Sequence, residues 1–147
     1  MRALIQRVSS ASVRVEGKVV GQIGPGLLCL IGIHKDDTAT DGEWLIKKLL
    51  AVRIFSDENG KMARSVQDIN GGLLVVSQFT LYGNLEKGTR PDFGDSMPGA
   101  PAREFYARWV AQLRQSCTLT VQEGVFAAHM DVALVNDGPV TLMIDSR

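Results

Sequence analysis

The chain has 147 residues, 45% of them apolar and 22% charged, which is the length and composition of one ordinary globular domain with enough apolar material for a core. Its 16 basic and 16 acidic residues cancel, so bulk electrostatics would not hold it on nucleic acid; a local basic face stays open to it, and near-neutral charge permits self-association. The start MRALIQRV lacks a basic and then apolar leader, and no apolar stretch reaches membrane-spanning length, so a cytoplasmic protein with no membrane partner is expected.

Ala3–Val8 is apolar-rich and predicts a strand. Ala11–Glu16 alternates, and with Val19, Val20 and Ile23 it predicts a hairpin turning at Glu16-Gly17-Lys18. After the turn Gly24-Pro25-Gly26, the unbroken apolar run Leu27–Ile33 predicts a central strand. Cys29 falls inside that run as a core residue, and Cys117 is far from it, so no disulfide is implied. Thr38, Thr40 or Asp41 can cap a helix running to about Val52, with Trp44, Leu45, Leu49, Leu50 and Val52 on one face and Lys47 and Lys48 opposite. Val52–Phe55 leads into the turn Ser56–Gly60, and Lys61–Asn70 reads as a mixed loop.

Leu73–Tyr82 (LLVVSQFTLY) predicts a second buried strand, and Gly83–Pro101 a long irregular loop holding Lys87, Arg90 and Asp92. Ala102–Gln115 predicts a helix with the stripe Phe105, Tyr106, Trp109, Val110 and Leu113. Thr118–Val121, Gly124–Phe126, Asp131–Val135 and Val140–Ile144 read as closing strands, the last two joined through a hairpin turn at Asn136–Pro139. This order predicts a single mixed α/β domain over residues 1–147, with layered, curved β-sheets and two main helices packed on one side. It does not give the strand order.

Most familiar chemistries find no support. No serine stands in a G-x-S-x-G elbow, and the glycine-rich stretches match neither a phosphate-binding loop nor a dinucleotide fingerprint. His34 and His129 belong to no motif, and no cluster has metal-ligand spacing, so neither a metal nor another cofactor is expected. Two stretches remain. Ser77, Gln78 and Thr80 put polar groups at the end of an apolar strand, where each unpaired one costs about 1–3 kcal/mol. That strand end either pairs them internally or opens into a pocket, and we take the second reading. The other stretch is Asn136–Pro139. Alone it reads as a plain turn, but a Gly-Pro bond can be cis and Gly138 exposes its backbone to close approach.

These stretches resemble the D-aminoacyl-tRNA deacylases, historically the D-tyrosyl-tRNA deacylases. MRALIQRVSSASVRVEG is similar to the family's opening, Arg53–Met62 (RIFSDENGKM) to its middle, Val75–Gly83 (VVSQFTLYG) to its first signature and Leu134–Thr141 (LVNDGPVT) to its second. Arg90–Phe93 and Gly124–Ala127 also match, so the resemblance runs from end to end. It implies a homodimer that hydrolyses the ester of a D-amino acid or glycine on the terminal ribose of tRNA and spares L-aminoacyl esters, with no DNA partner. It further implies that Ser77, Gln78, Phe79 and Thr80 line one wall of the site, faced by a cis Gly138-Pro139 from the partner subunit.

Thr80 as a covalent nucleophile would need a base that the sequence does not show. A backbone site is therefore expected, with the N–H groups of Phe79 and Thr80 polarising the ester and the ribose 2′-hydroxyl placing water, the last being the family's suggestion alone. Lys47, Lys48, Arg53, Lys61, Lys87 and Arg90 are candidate phosphate contacts, and Arg7 either pairs with a carboxylate or braces the Gly-Pro segment. A nucleic-acid-binding module without turnover, or a small-molecule esterase using Ser77 or Thr80, are the rival readings.

Overall fold

The sheet is assembled on β1 (Arg2–Val15) in the computed structural model, which describes residues 1–147. The first half of β1 pairs antiparallel with β3 (Gly26–Gly32), its second half with β2 (Lys18–Ile23), and both halves pair on the other side with β8 (Asp131–Asp145). Beyond β3 lie β6 (Gly72–Ser77) and β7 (Val121–Glu123), both added in parallel, so the path runs β2-β1-β3-β6-β7. β4 (Phe55–Ser56) and β5 (Met62–Arg64) make a separate small ribbon.

One extra residue lets β1 serve two layers. Val8 pairs with Asn136 and Ser10 with Val135, leaving Ser9 unmatched as a bulge. Side chains alternate along a strand, so this insertion reverses which positions face which side. Ala3 and Ile5 point to the larger core with Leu27, Ile31 and Leu73, whereas Val8, Ala11 and Val13 point to a second cluster with Ile23, Leu28, Leu74 and Val76. The second cluster fills the inside of a nearly closed sheet. Closure brings β2 against β7: a Cβ built on Gly21 would stand 2.5 Å from the Glu123 carbonyl oxygen, so only a residue without a side chain fits there.

The larger core is covered by both helices. α1 (Ala39–Ala51) contributes Leu45, Ile46, Leu49 and Leu50, and α2 (Gly99–Gln115) contributes Tyr106, Trp109, Val110 and Leu113, so the helices share one face of the sheet. Thr38 starts α1, its N–H and hydroxyl both donating to Asp41. Trp44 does not join the core; it is 39% exposed beneath the Lys48 ammonium.

Several boundaries depart from the expectation. Ala3–Val8 and Ala11–Glu16 belong to one strand bent at Ser9. The strand expected over Leu73–Tyr82 stops at Ser77, and Phe79–Tyr82 is a 3₁₀ turn. α2 begins three residues before Ala102 and takes in Pro101, while Gly124–Phe126 is loop. Asn136–Pro139 is not a hairpin: the segments on either side of it pair with the same strand, β1, as parts of β8. Gln6 pairs with Thr141 and Val8 with Asn136, so residues 137–140 bow out opposite Arg7 alone.

Candidate active site

The ladder between β6 and β3 ends with one bond beyond Ser77. The Gln78 N–H donates to the Ile31 carbonyl at 2.7 Å, and the next residues curl into the 3₁₀ turn, with the Leu81 N–H reaching back to the Gln78 carbonyl. The N–H groups of Phe79 and Thr80 thus begin the turn with no intrahelical partner. The turn is held from three directions. Ser96 donates its hydroxyl to the Phe79 carbonyl at 2.9 Å, Arg2 donates to the Leu81 carbonyl at 3.0 Å, and the Phe93 ring meets Phe79 edge-on with centroids 4.9 Å apart. The Gln78 side-chain amide donates to the Thr80 hydroxyl.

Ser77, Gln78 and Phe79 form one wall of a cavity of about 560 Å³. Ile31, Ile33, Val76 and Val132 close its sheet side, and Met97, Gly99 and Ala102 come from the start of α2 and the loop before it. The remaining wall is Phe126–Met130, a loop in which Ala127 sits at φ +63°, a conformation that costs a non-glycine residue about 1 kcal/mol or more. Composition foretold nothing of this wall, apart from the resemblance at Gly124–Ala127. A largely apolar concavity with a few converging polar groups is the usual form of a small-ligand site.

No base reaches the signature hydroxyls. His129 borders the cavity, but its side chain is 95% exposed and faces Asp131 at 3.7 Å. His34 accepts a hydrogen bond from the Asp36 N–H and packs edge-on against Tyr82. Both hydroxyls lack a His, Lys or carboxylate hydrogen-bond partner. Tyr82 follows in the turn beneath the Arg2 guanidinium, and burial holds its phenol above the usual range.

The second stretch lies elsewhere. Stepping about 4.8 Å per strand across β8, β1, β3 and β6, and about 3.3 Å per residue along them, separates Gly138 from Ser77 by roughly 20 Å. One chain therefore does not join the two signatures. The loop is exposed and strictly built. Gly138 has φ +134°, and its bond to Pro139 is cis. The Asn136 amide donates to the carbonyls of Arg7 and Val140, at 2.9 and 3.0 Å.

Arg7 fulfils both roles left open for it. Its side chain is nearly buried; Nε donates to the Asp137 carbonyl at 3.0 Å and lies 3.3 Å from the Asp137 carboxylate, while Nη1 donates to the Ile54 carbonyl at 2.7 Å. A Cβ on Gly138 would meet Val140 Cγ2 at 2.8 Å and Arg7 Nη2 at 3.1 Å, so the loop admits only glycine there. Lys87 and Arg90 lie in an exposed excursion whose base is pinned by paired backbone bonds between Asn84 and Asp92, at 2.8 and 2.9 Å.

The class of protein is thus a single mixed α/β domain with a curved, nearly closed sheet and two helices, carrying a 3₁₀ turn at a cavity and an outward-facing glycine-proline loop. Comparison with known proteins gives the family. The model for "D-Tyr-tRNA(Tyr) deacylase" matches residues 4–145, and the chain belongs to that family. The D-aminoacyl-tRNA deacylase of Desulfitobacterium hafniense (strain DSM 10664 / DCB-2) is 54% identical over 147 residues, which is 100% of this chain and 98% of that protein. The one from Thermotoga petrophila is 55% identical over 146 residues, covering 99% and 97%. Among solved structures, one titled "c-Myc DNA Unwinding Element Binding Protein" superposes with a TM-score of 0.96 at 42% identity, covering 100% of this chain and 99% of that one. Another, a probable eukaryotic D-amino acid tRNA deacylase, shares the fold with a TM-score of 0.85 at 18% identity over 97% of each chain.

Proposed function

We propose that this chain hydrolyses the ester between a D-amino acid and the terminal ribose of tRNA, and that it also accepts glycyl esters while sparing L-aminoacyl ones. Family membership supports the reaction; the observation that carries the mechanism is the 3₁₀ turn, whose Phe79 and Thr80 N–H groups have no intrahelical partner where Phe79 lines a cavity. In this reading the ester carbonyl accepts from those N–H groups, which stabilise the oxyanion as it forms. Water adds to the carbonyl carbon, the bond to the ribose oxygen breaks, and that oxygen takes the proton. Thr80 and Gln78 position the substrate, and the substrate's own 2′-hydroxyl places the water. The cavity then receives the terminal nucleoside.

The chiral filter is completed by a second copy. Carbonyls of Gly138 and Pro139 of the partner subunit would hold the substrate's α-amino group and face its Cα. A hydrogen or a D side chain fits there, whereas an L side chain meets main chain. The distance between the two stretches within one chain and the exposure of the glycine-proline loop support a homodimer of this kind. The exposure of Lys87 and Arg90 on their excursion supports their role as candidate tRNA phosphate contacts. A binding module without turnover has less support, because the net charge is zero.

The test is deacylation of one tRNA charged in parallel with D-Tyr, L-Tyr and glycine. Loss of the D-Tyr and glycyl esters with L-Tyr spared is the expected result. Survival of all three overturns the reaction, and equal loss of all three overturns the steric filter.

A further inference from the structure

Beside the Phe126 wall of the cavity, the surface carries a cation that no motif marks. Arg103 is an exposed residue that follows the cavity-lining Ala102 on α2, just past its first turn, and its guanidinium carbon lies 4.8 Å from the centroid of the Phe126 ring. Phe126 is itself a wall of the cavity and leans on Tyr106, with centroids 5.6 Å apart. Tyr106 is fixed in turn by a 3.3 Å bond from its hydroxyl to the Val75 carbonyl. This stack gives an exposed arginine a defined position, which a free surface side chain lacks. The guanidinium has no carboxylate or hydrogen-bond partner. The first turn of α2 has no acidic residue, and the neighbouring Glu104 lies beside Arg108 at 3.5 Å instead. Five N–H donors in a planar fork are therefore held unpaired against a wall residue of the cavity, the geometry that suits two oxygens of one phosphate.

We infer that Arg103 binds the phosphodiester on the 5′ side of the terminal nucleoside. The inference rests on the deacylase reading, which puts that nucleoside in the cavity with its acylated ribose at Phe79. The one anionic group it must carry out past the rim is the 5′-phosphate. Arg103 is then a positioning residue that separates a nucleic-acid end from a bare aminoacyl nucleoside, and it adds a charge-based contact to a site whose chirality filter is steric.

The experiment compares 3′-O-D-tyrosyl adenosine, the same ester bearing a 5′-phosphate, and D-Tyr-tRNA. The quantity read is the ratio of kcat/KM for the phosphorylated over the unphosphorylated nucleoside. In the unaltered protein we expect a ratio of about 10 or more, the size of one good charge-assisted contact. Arg103→Met keeps the apolar stem over Phe126 and removes the charge, so its ratio should fall towards one through KM, with kcat holding. Arg103→Lys should retain part of the ratio, because an ammonium supplies charge without the fork. A ratio unchanged in Arg103→Met overturns the inference, as does an unaltered protein that cleaves all three esters with a ratio near one. Failure of the unaltered protein to cleave D-Tyr-tRNA overturns the deacylase reading, and the role of Arg103 falls with it.

Discussion

Thr80 carries a hydroxyl at the most prominent motif of the chain, yet its oxygen is already the acceptor of the Gln78 amide and no base approaches it. If the site works through backbone donors, Thr80→Ala should lower kcat for D-Tyr-tRNA by less than about tenfold, against the thousandfold or more that removal of a nucleophile costs. A kcat lost to background in a folded variant would restore the nucleophile. Arg7 is the reverse case, a residue with no part in the chemistry that sets the position of one. Its three contacts span Ile54 and Asp137, and its removal strands two carbonyls. Arg7→Ala should cost about 2–3 kcal/mol in chemical denaturation, and Arg7→Lys should recover little because one ammonium cannot follow the fork. Both variants should also lose discrimination between D- and L-Tyr esters, since the glycine-proline loop loses its brace.

At the scale of elements, closure of the sheet depends on Gly21 lying under the Glu123 carbonyl. Gly21→Ala must push β2 off β7 and should lower stability by about 2–3 kcal/mol, read as a fall in Tm of roughly 5–10 °C. The elements also show what a sequence can and cannot convey. The helices were legible because their apolar residues recur at 3.6-residue spacing, and the run Leu27–Ile33 because nothing polar interrupts it. Phe79–Tyr82 was misread because Phe79, Leu81 and Tyr82 resemble a strand's apolar positions; the curl is fixed by Ser96 and Arg2, which are 17 and 79 residues away from the carbonyls they bind. Asn136–Pro139 has the composition of a hairpin turn, and a four-residue bulge over residues 137–140 uses three of the same residues. Only pairing of both flanks with β1 distinguishes them, and register with a distant strand leaves no local mark. The Phe126–Met130 wall was missed for a similar reason: its residues are ordinary, and only the fold turns them towards Ser77. The charge of Arg7 in an apolar strand left two roles open, and only the fold shows that it takes both.

The whole molecule is proposed to act as a pair, and a pair with shared sites makes a countable prediction. Phe79→Pro removes a donor at a position where a turn tolerates proline, and Gly138→Ala crowds the opposite loop. Each variant alone should be inactive. Mixed in equal amounts and allowed to exchange subunits, they should recover about a quarter of normal activity, since half the dimers are mixed and one site of two in each is intact. No recovery after confirmed exchange would place both stretches in the service of one chain. Acid should also undo the fold in a definite direction. Asp41 is held below the usual carboxylate range by the Thr38 N–H, Asp68 by the Ser65 N–H and Asp95 by Lys35; at Asp145 burial opposes the shift, but bonds from Arg2 and the Arg147 N–H outweigh it. A carboxyl whose pKa is lower folded than unfolded contributes stability above its unfolded value and loses it as pH falls towards the folded one. Tm should thus stay level from neutral pH to about 5 and decline below about 4, as thermal melts across that range would show.

The bowed loop on β8 has a consequence apart from any substrate. β8 is a 15-residue strand paired on one side only, with Val135, Leu142 and Met143 exposed along it. An unbroken edge of that length is a template on which further chains can polymerise into sheet. Residues 137–140 interrupt it near the middle, and Pro139 has no N–H to offer a newcomer. In the proposed chiral filter, handedness control and resistance to aggregation would depend on the same loop. Trimming them to widen the range of accepted esters would leave a long, sticky margin in place of a guarded one.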